Sequence, residues 1–113
     1  MPSGQVYKVL GQSCPANTNA TDIYTVPSST ETIVSCITVA NITTTAYTYR
    51  IAIRPAGASL ANQHYIAYDV TIAANDSTTL VLGITLAATD VITVRSSNAT
   101  SVSFSAFGCE LTA

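Results

Sequence analysis

Residues 47–54 alternate strictly, with Tyr47, Tyr49, Ile51 and Ile53 on one phase and Thr48, Arg50, Ala52 and Arg54 on the other. A period of two puts successive side chains on opposite faces of an extended chain. The run therefore predicts a strand with one buried and one wetter face. Pro55 has no N–H to give to a ladder, and Gly57 admits the turn that must follow. The return run places His64, Ile66, Tyr68 and Val70 between Gln63, Tyr65, Ala67 and Asp69. Two long strands joined by a polar loop make a hairpin, and a hairpin of this length needs further strands to bury its apolar side.

The rest of the chain supplies them. Strands are expected over residues 5–10, 22–26, 31–40, 78–86, 91–95 and 101–109, separated by clusters of Pro, Asn, Asp, Ser and Gly. The run over 31–40 is apolar on both phases, which predicts a central strand with Cys36 as a reduced core thiol. Gly83 is expected to interrupt or bulge the strand over 78–86. No stretch of ten residues carries apolar residues at helical spacing. Short strands with turn signals every eight to twelve residues predict an all-β fold. The expectation is a single domain over residues 1–113, a two-sheet β-sandwich of about eight strands, jelly-roll-like in preference to immunoglobulin-like. Ile37, Val39, Ile51, Ile53, Leu80, Leu82 and Phe104 are its expected core.

Charge narrows the function classes. Charged residues make up 9% of the 113, against about 25% in an ordinary soluble domain, while hydrophobic residues make up 48%. Thr, Ser and Ala must then cover most of the surface, which suits a protein packed against copies of itself or a larger assembly. A secreted, Thr-rich sandwich is the other reading of the same composition. Four cationic residues and a net charge of −2 exclude a nucleic-acid partner. No apolar run approaches a bilayer span, and no membrane partner is expected. The opening residues lack an apolar signal-peptide core, which predicts cytosolic synthesis without a cleaved export signal.

The residue types that carry chemistry are sparse and badly spaced for it. His64 is the only imidazole, and Ser59 and Asp69 lie near it without the Gly-x-Ser-x-Gly elbow a hydrolase would show. Asp69, Asp76 and Asp90 lack the spacing of a calcium loop, and Asp76 and Asp90 read as turn formers. Cys14, Cys36 and Cys109 form no metal-ligand pattern, although a Cys14–Cys109 bridge would join the two ends of the chain. No catalytic residue, metal or cofactor is expected. Glycosylation-type triplets begin at Asn19, Asn41, Asn75 and Asn98 and are credited to Thr-rich composition. Arg50 and Arg54 read equally as solvated guards against edge pairing or as inter-subunit clamps. Leu60, in an uncharged loop tip without an evident core partner, reads as a contact residue. With His64 and Tyr65 beside it, the candidate interface comprises Arg50, Arg54, Leu60, His64 and Tyr65.

Several phrases together are familiar: Val9-Leu10-Gly11-Gln12, Asp22-Ile23-Tyr24-Thr25-Val26-Pro27, Arg54-Pro55-Ala56-Gly57-Ala58, His64-Tyr65-Ile66-Ala67-Tyr68-Asp69 and Gly83-Ile84-Thr85-Leu86-Ala87-Ala88-Thr89-Asp90. With Phe104-Ser105-Ala106-Phe107-Gly108, they resemble small β-sandwich virion structural proteins of tailed bacteriophages, including phages of cyanobacteria. The cysteines are outside the resembling pattern. The resemblance implies a non-enzymatic component of the phage particle. The expected role is a capsid decoration (cement) protein, a homo-oligomer with the trimer favoured, bound to the major capsid protein or other virion proteins. A tail, neck or fibre component is the alternative within that class. A host-surface glycan-binding module is the alternative outside it, with Tyr65 and Tyr68 as its contact residues.

Overall fold

The computed structural model describes residues 4–81 and 83–112. Nine strands are found among them: β1 (Gly4–Ser13), β2 (Thr21–Thr25), β3 (Thr30–Asn41), β4 (Tyr47–Arg54), β5 (Tyr65–Ile72), β6 (Ser77–Leu80), β7 (Ile84–Leu86), β8 (Val91–Ser96) and β9 (Val102–Thr112). Two single 3-10 turns, Pro55–Gly57 and Asn62–His64, form the loop between β4 and β5. One sheet runs β1-β9-β3-β6, with β7 also paired to β3, and the other runs β2-β8-β4-β5. All pairings are antiparallel.

The connections nest. The first strand pairs with the last and β2 with β8. Inside these, β3 pairs with the broken strand β6/β7, and β4 with β5. Taking β6/β7 as one strand interrupted near Gly83 gives eight strands wound as a jelly roll rather than in the immunoglobulin order. Between the sheets lie Ile37, Val39, Ile51, Ile92, Val94, Val102, Phe104 and Ala106, with the Tyr49 ring edge-on to Phe104 at 6.3 Å. Of the expected core, Ile37, Val39, Ile51 and Phe104 are buried, whereas Ile53 and Leu80 are only partly buried and pack at its margin. Leu82 lies outside the described residues.

The third strand corrects the expectation most clearly. Ile33 is 40% exposed and Cys36 half-buried, while Thr32 and Val34 face the core. The cause is a bulge. β3 pairs Val34 with Gly108 and Cys36 with Phe107, so Ser35 is an extra residue that reverses the inward phase. Gly108 makes this possible, because a Cβ there would lie 2.1 Å from the Ile33 carbonyl oxygen. A matching bulge in β1 pairs Val9 with Phe107 and Gly11 with Ala106, leaving Leu10 as the extra residue. The three cysteines are free, so no bridge joins the chain ends.

Two polar devices absent from the sequence reading tie the sandwich together. Asn41 is buried, and its amide donates to the carbonyls of Thr45 (2.8 Å) and Ile72 (3.2 Å) while accepting from Thr43. Its glycosylation-type triplet is thus a turn clasp. Across the sheets, the Tyr24 hydroxyl on β2 donates to Glu110 on β9 and accepts from Thr32 on β3 (2.8 Å), and Lys8 lies 3.3 Å from the same carboxylate. Burial, then the carboxylate acceptor, pushes the Tyr24 phenol up to about 12. The Tyr24 hydrogen bond, helped by Lys8, holds Glu110 below its ordinary value of 4.5 despite partial desolvation.

Phe104→Ala should destabilise by about 3–5 kcal/mol, measured by urea unfolding, because a fully enclosed ring leaves a cavity between the sheets. A depressed carboxyl pKa contributes stability above the unfolded value of 4.5, and that stability is lost as pH falls through the lower folded value. Glu110→Gln should therefore be less stable than the parent at neutral pH, and the difference should shrink progressively below pH 4.5.

Candidate interaction surface

Two of the five candidate residues, Arg50 and Tyr65, meet on the β4–β5 hairpin. Arg50 projects from β4 and Asp69 from β5. The guanidinium grips the carboxylate through Nε (2.6 Å) and Nη2 (3.1 Å). That pair holds the Asp69 carboxyl below its ordinary value and pushes the Arg50 guanidinium up. The same guanidinium lies 3.9 Å from the Tyr68 ring centroid and 6.0 Å from that of Tyr65. A cation in that position is attracted by the ring quadrupole. The Tyr65 and Tyr68 rings meet edge to face at 4.9 Å. With Asn62 they line an open cleft, and Tyr68 is 55% exposed.

Backbone irregularity builds this arrangement. β5 pairs Val70 with Tyr49, Ala67 with Ile51 and Tyr65 with Ala52, so its register against β4 shifts twice. Asp69 takes φ +51°, a left-handed conformation that Asp tolerates better than most residues. The simple alternation read along residues 64–70 is therefore broken. His64 is buried in the 3-10 turn before the strand, and Ile66, Tyr68 and Val70 are exposed instead of forming an apolar inner phase.

Arg54 has a different role in the fold from Arg50. Its Nη2 contacts both Asp22 oxygens at 2.9 Å, its Nε donates to Thr93 Oγ1 (3.0 Å), and its Nη1 donates to the carbonyls of Ala58 (2.9 Å) and Gly57 (3.3 Å). Thr93 completes the circuit by donating to Asp22. One side chain thus joins β4, β2 and β8 to the loop. Asp90 secures the other side, accepting from the Ala56 and Ala87 N–H groups at 2.8 Å each. His64 Nδ1 accepts from the Ala61 N–H (3.1 Å) and closes the loop's second turn. Leu60 stands between these anchors, 37% exposed.

The cations are committed elsewhere in the molecule as well. Lys8, Arg50 and Arg54 are ion-paired, and Arg95 donates to the Thr18 carbonyl (2.7 Å). Among the described residues no group of three His, Cys, Asp or Glu is placed to hold a metal ion. His64, Ser59 and Asp69 form no relay, since Asp69 faces Arg50 and His64 faces the backbone. No helix among the described residues is long and apolar enough to cross a membrane. What remains is a surface of aromatic rings, one amide, one apolar loop tip and a neutralised charge pair. Such a surface can dock a partner but shows no nucleophile or general base in a working geometry.

No family model and no curated protein sequence matches the chain. Its fold is similar to that of solved viral structures. A chain in the acidic stable capsid structure of Helicobacter pylori bacteriophage KHP30 aligns with 97% of this chain and 93% of its own length, at 17% identity and a TM-score of 0.50. A chain in the structure of infectious bursal disease virus Gx strain aligns with 98% of this chain at 10% identity and a TM-score of 0.53. This chain spans about a third of that one, 32% of its length. At these identities the likeness establishes the shared β-sandwich and nothing finer.

Proposed function

We propose that the chain is a non-enzymatic structural protein of a virion, most specifically a decoration (cement) protein on the capsid of a tailed phage. The observation that carries this reading is the near end-to-end fold likeness to a chain of a phage capsid structure, over 97% of one and 93% of the other. The surface chemistry agrees with it. A weakly charged exterior with three of its four cations ion-paired is suited to burial against neighbours, and a loop locked by Arg54, Asp90 and His64 offers Leu60 without an ordering cost on binding. In this role the protein, as a homotrimer, seats on major capsid subunits and binds only their assembled form, which it stabilises by mass action. Arg50, Arg54, Leu60, His64 and Tyr65 are the residues assigned to the contact, with Arg54 and His64 shaping the loop and Leu60 and Tyr65 touching the neighbour.

The Tyr65–Tyr68 pair with Asn62 favours one second reading. Exposed aromatic faces beside an amide suit the alternating apolar and hydroxyl surfaces of a sugar, so a host-surface glycan is the competing ligand.

Image reconstruction of the particle that carries this chain tests the first reading. Density repeated over the whole icosahedral shell is expected, and density confined to one vertex or the tail would give the chain to the neck, tail or fibre. Light scattering of the purified protein, extrapolated to low concentration, should read three times 11.7 kDa. Leu60→Asp should retain the parent's unfolding curve while weakening self-association or shell binding, and a lowered unfolding midpoint would return Leu60 to the core. On a glycan array no binding is expected, and a signal abolished by Tyr68→Ala would favour the second reading.

A further inference from the structure

A sandwich of two open sheets has lateral edges, and three of the four here are blunted. β5 shifts register twice and carries Asp69 at φ +51°. The β6/β7 edge is divided into pieces of 4 and 3 residues. β2 has 5 residues, one register shift between Asp22 and Tyr24, and an Asp22 carboxylate held by Arg54. Short strands, bulges and charges are the usual means by which an edge avoids pairing with another chain.

β1 is neither short nor bulged along its first half. It is 10 residues long, pairs with β9 alone among the described residues, and keeps regular register from Gly4 to Val9. Val6, Tyr7 and Val9 are 52%, 77% and 47% exposed. The one charge in the run, Lys8, is engaged with Glu110. The bulged second half of β1 lies against β2, where a Cβ on Gly11 would meet the Ile23 carbonyl oxygen, so the free edge is confined to residues 4–9.

We propose that residues 4–9 of β1 pair antiparallel with the same residues of a second copy of this chain, one that belongs to a neighbouring trimer where the chain is trimeric, across a two-fold axis normal to the β1-β9-β3-β6 sheet. The run is complementary to itself. Val6 shares the row of Glu110 and Thr32, which face the core, whereas Tyr7 and Val9 share the rows of Cys109 and Phe107 on the outer face. A two-fold normal to the sheet maps inner face onto inner face, so inner residues must oppose inner and outer oppose outer. That leaves registers centred on Val6 or on Tyr7. The first sets Lys8 opposite Gly4 and Gln5 opposite Tyr7. The second sets Lys8 opposite Val6 and Gln5 opposite Val9. A centre on Lys8 would set two ammonium groups face to face and is disfavoured. A copy of the chain therefore satisfies the edge with backbone hydrogen bonds, apolar neighbours and no opposed charge.

Amide hydrogen exchange of the parent protein over a concentration series reads the pairing directly. Alternate amides within residues 4–9 should slow by about tenfold or more as concentration rises, while those of β5 keep their rates. Concentration-independent exchange in β1 would overturn the proposal. Cysteine scanning in a background with the three native cysteines replaced by Ser, its fold checked by circular dichroism, then reads the register. Val6→Cys or Tyr7→Cys, but not both, should form a disulfide-linked pair, whereas Ile42→Cys, 60% exposed and remote from the edge, should not. Crosslinking at neither edge position, or equally at Ile42, would also overturn it. These readouts concern the isolated chain and stand whether or not the virion assignment does.

Discussion

The structure depends on how its closing strand is framed. β9 lies between β1 and β3, and each of these carries one extra residue beside Phe107, Leu10 on one side and Ser35 on the other. The paired bulges let β9 run without a break while both flanking strands reverse phase at nearly the same level. On one side of this level the core-facing positions of β3 are Ile37, Val39 and Asn41, and on the other they are Thr30, Thr32 and Val34. Gly108 permits the β3 bulge, since no side chain could share space with the Ile33 carbonyl. The apolar middle of the sandwich and the polar end built on Tyr24, Thr32 and Glu110 both follow from that offset.

The same offset explains what could and could not be read from the sequence. Where the pairing is regular, as over Ile37 to Val39 or at Phe104, alternation predicts the buried side chains. A bulge inserts one residue and leaves no compositional mark, so nothing in the run over 31–40 marks Ile33 and Cys36 as lying off the core, and nothing along 64–70 marks Ile66, Tyr68 and Val70 as exposed. The break at Gly83 was visible because glycine announces it. The ion pairs were not visible at all: Arg54 meets Asp22 and Arg50 meets Asp69 only once topology has brought β2, β4, β5 and β8 together. Leu60 was readable as an exposed tip because the residues around it are too small to cover it.

The two arginines illustrate how a chain with few charges distributes them. Arg54 joins three strands and a loop in one partly covered cluster, so its charge acts inward as a fastener. Arg50 lies across an aromatic pair on the surface and orients the Tyr68 ring. Neither leaves an unbalanced charge for long-range steering.

The nesting of first strand with last has a consequence for how the molecule is made. β9 supplies the partner for nearly the whole length of both β1 and β3, and Gly4 is registered against Thr112. Until β9 has left the ribosome, two of the longest strands have no principal partner, and the sheet they belong to cannot close. Folding of that sheet is therefore held back until β9 emerges, when a single late event joins it across its full width. Sequences dominated by such distant pairings gain little from early local structure and fold slowly for their size. A nascent chain of this design spends its vulnerable period with β3 exposed, a strand whose Ile33, Val34, Cys36, Ile37 and Val39 offer apolar surface to other chains on both faces.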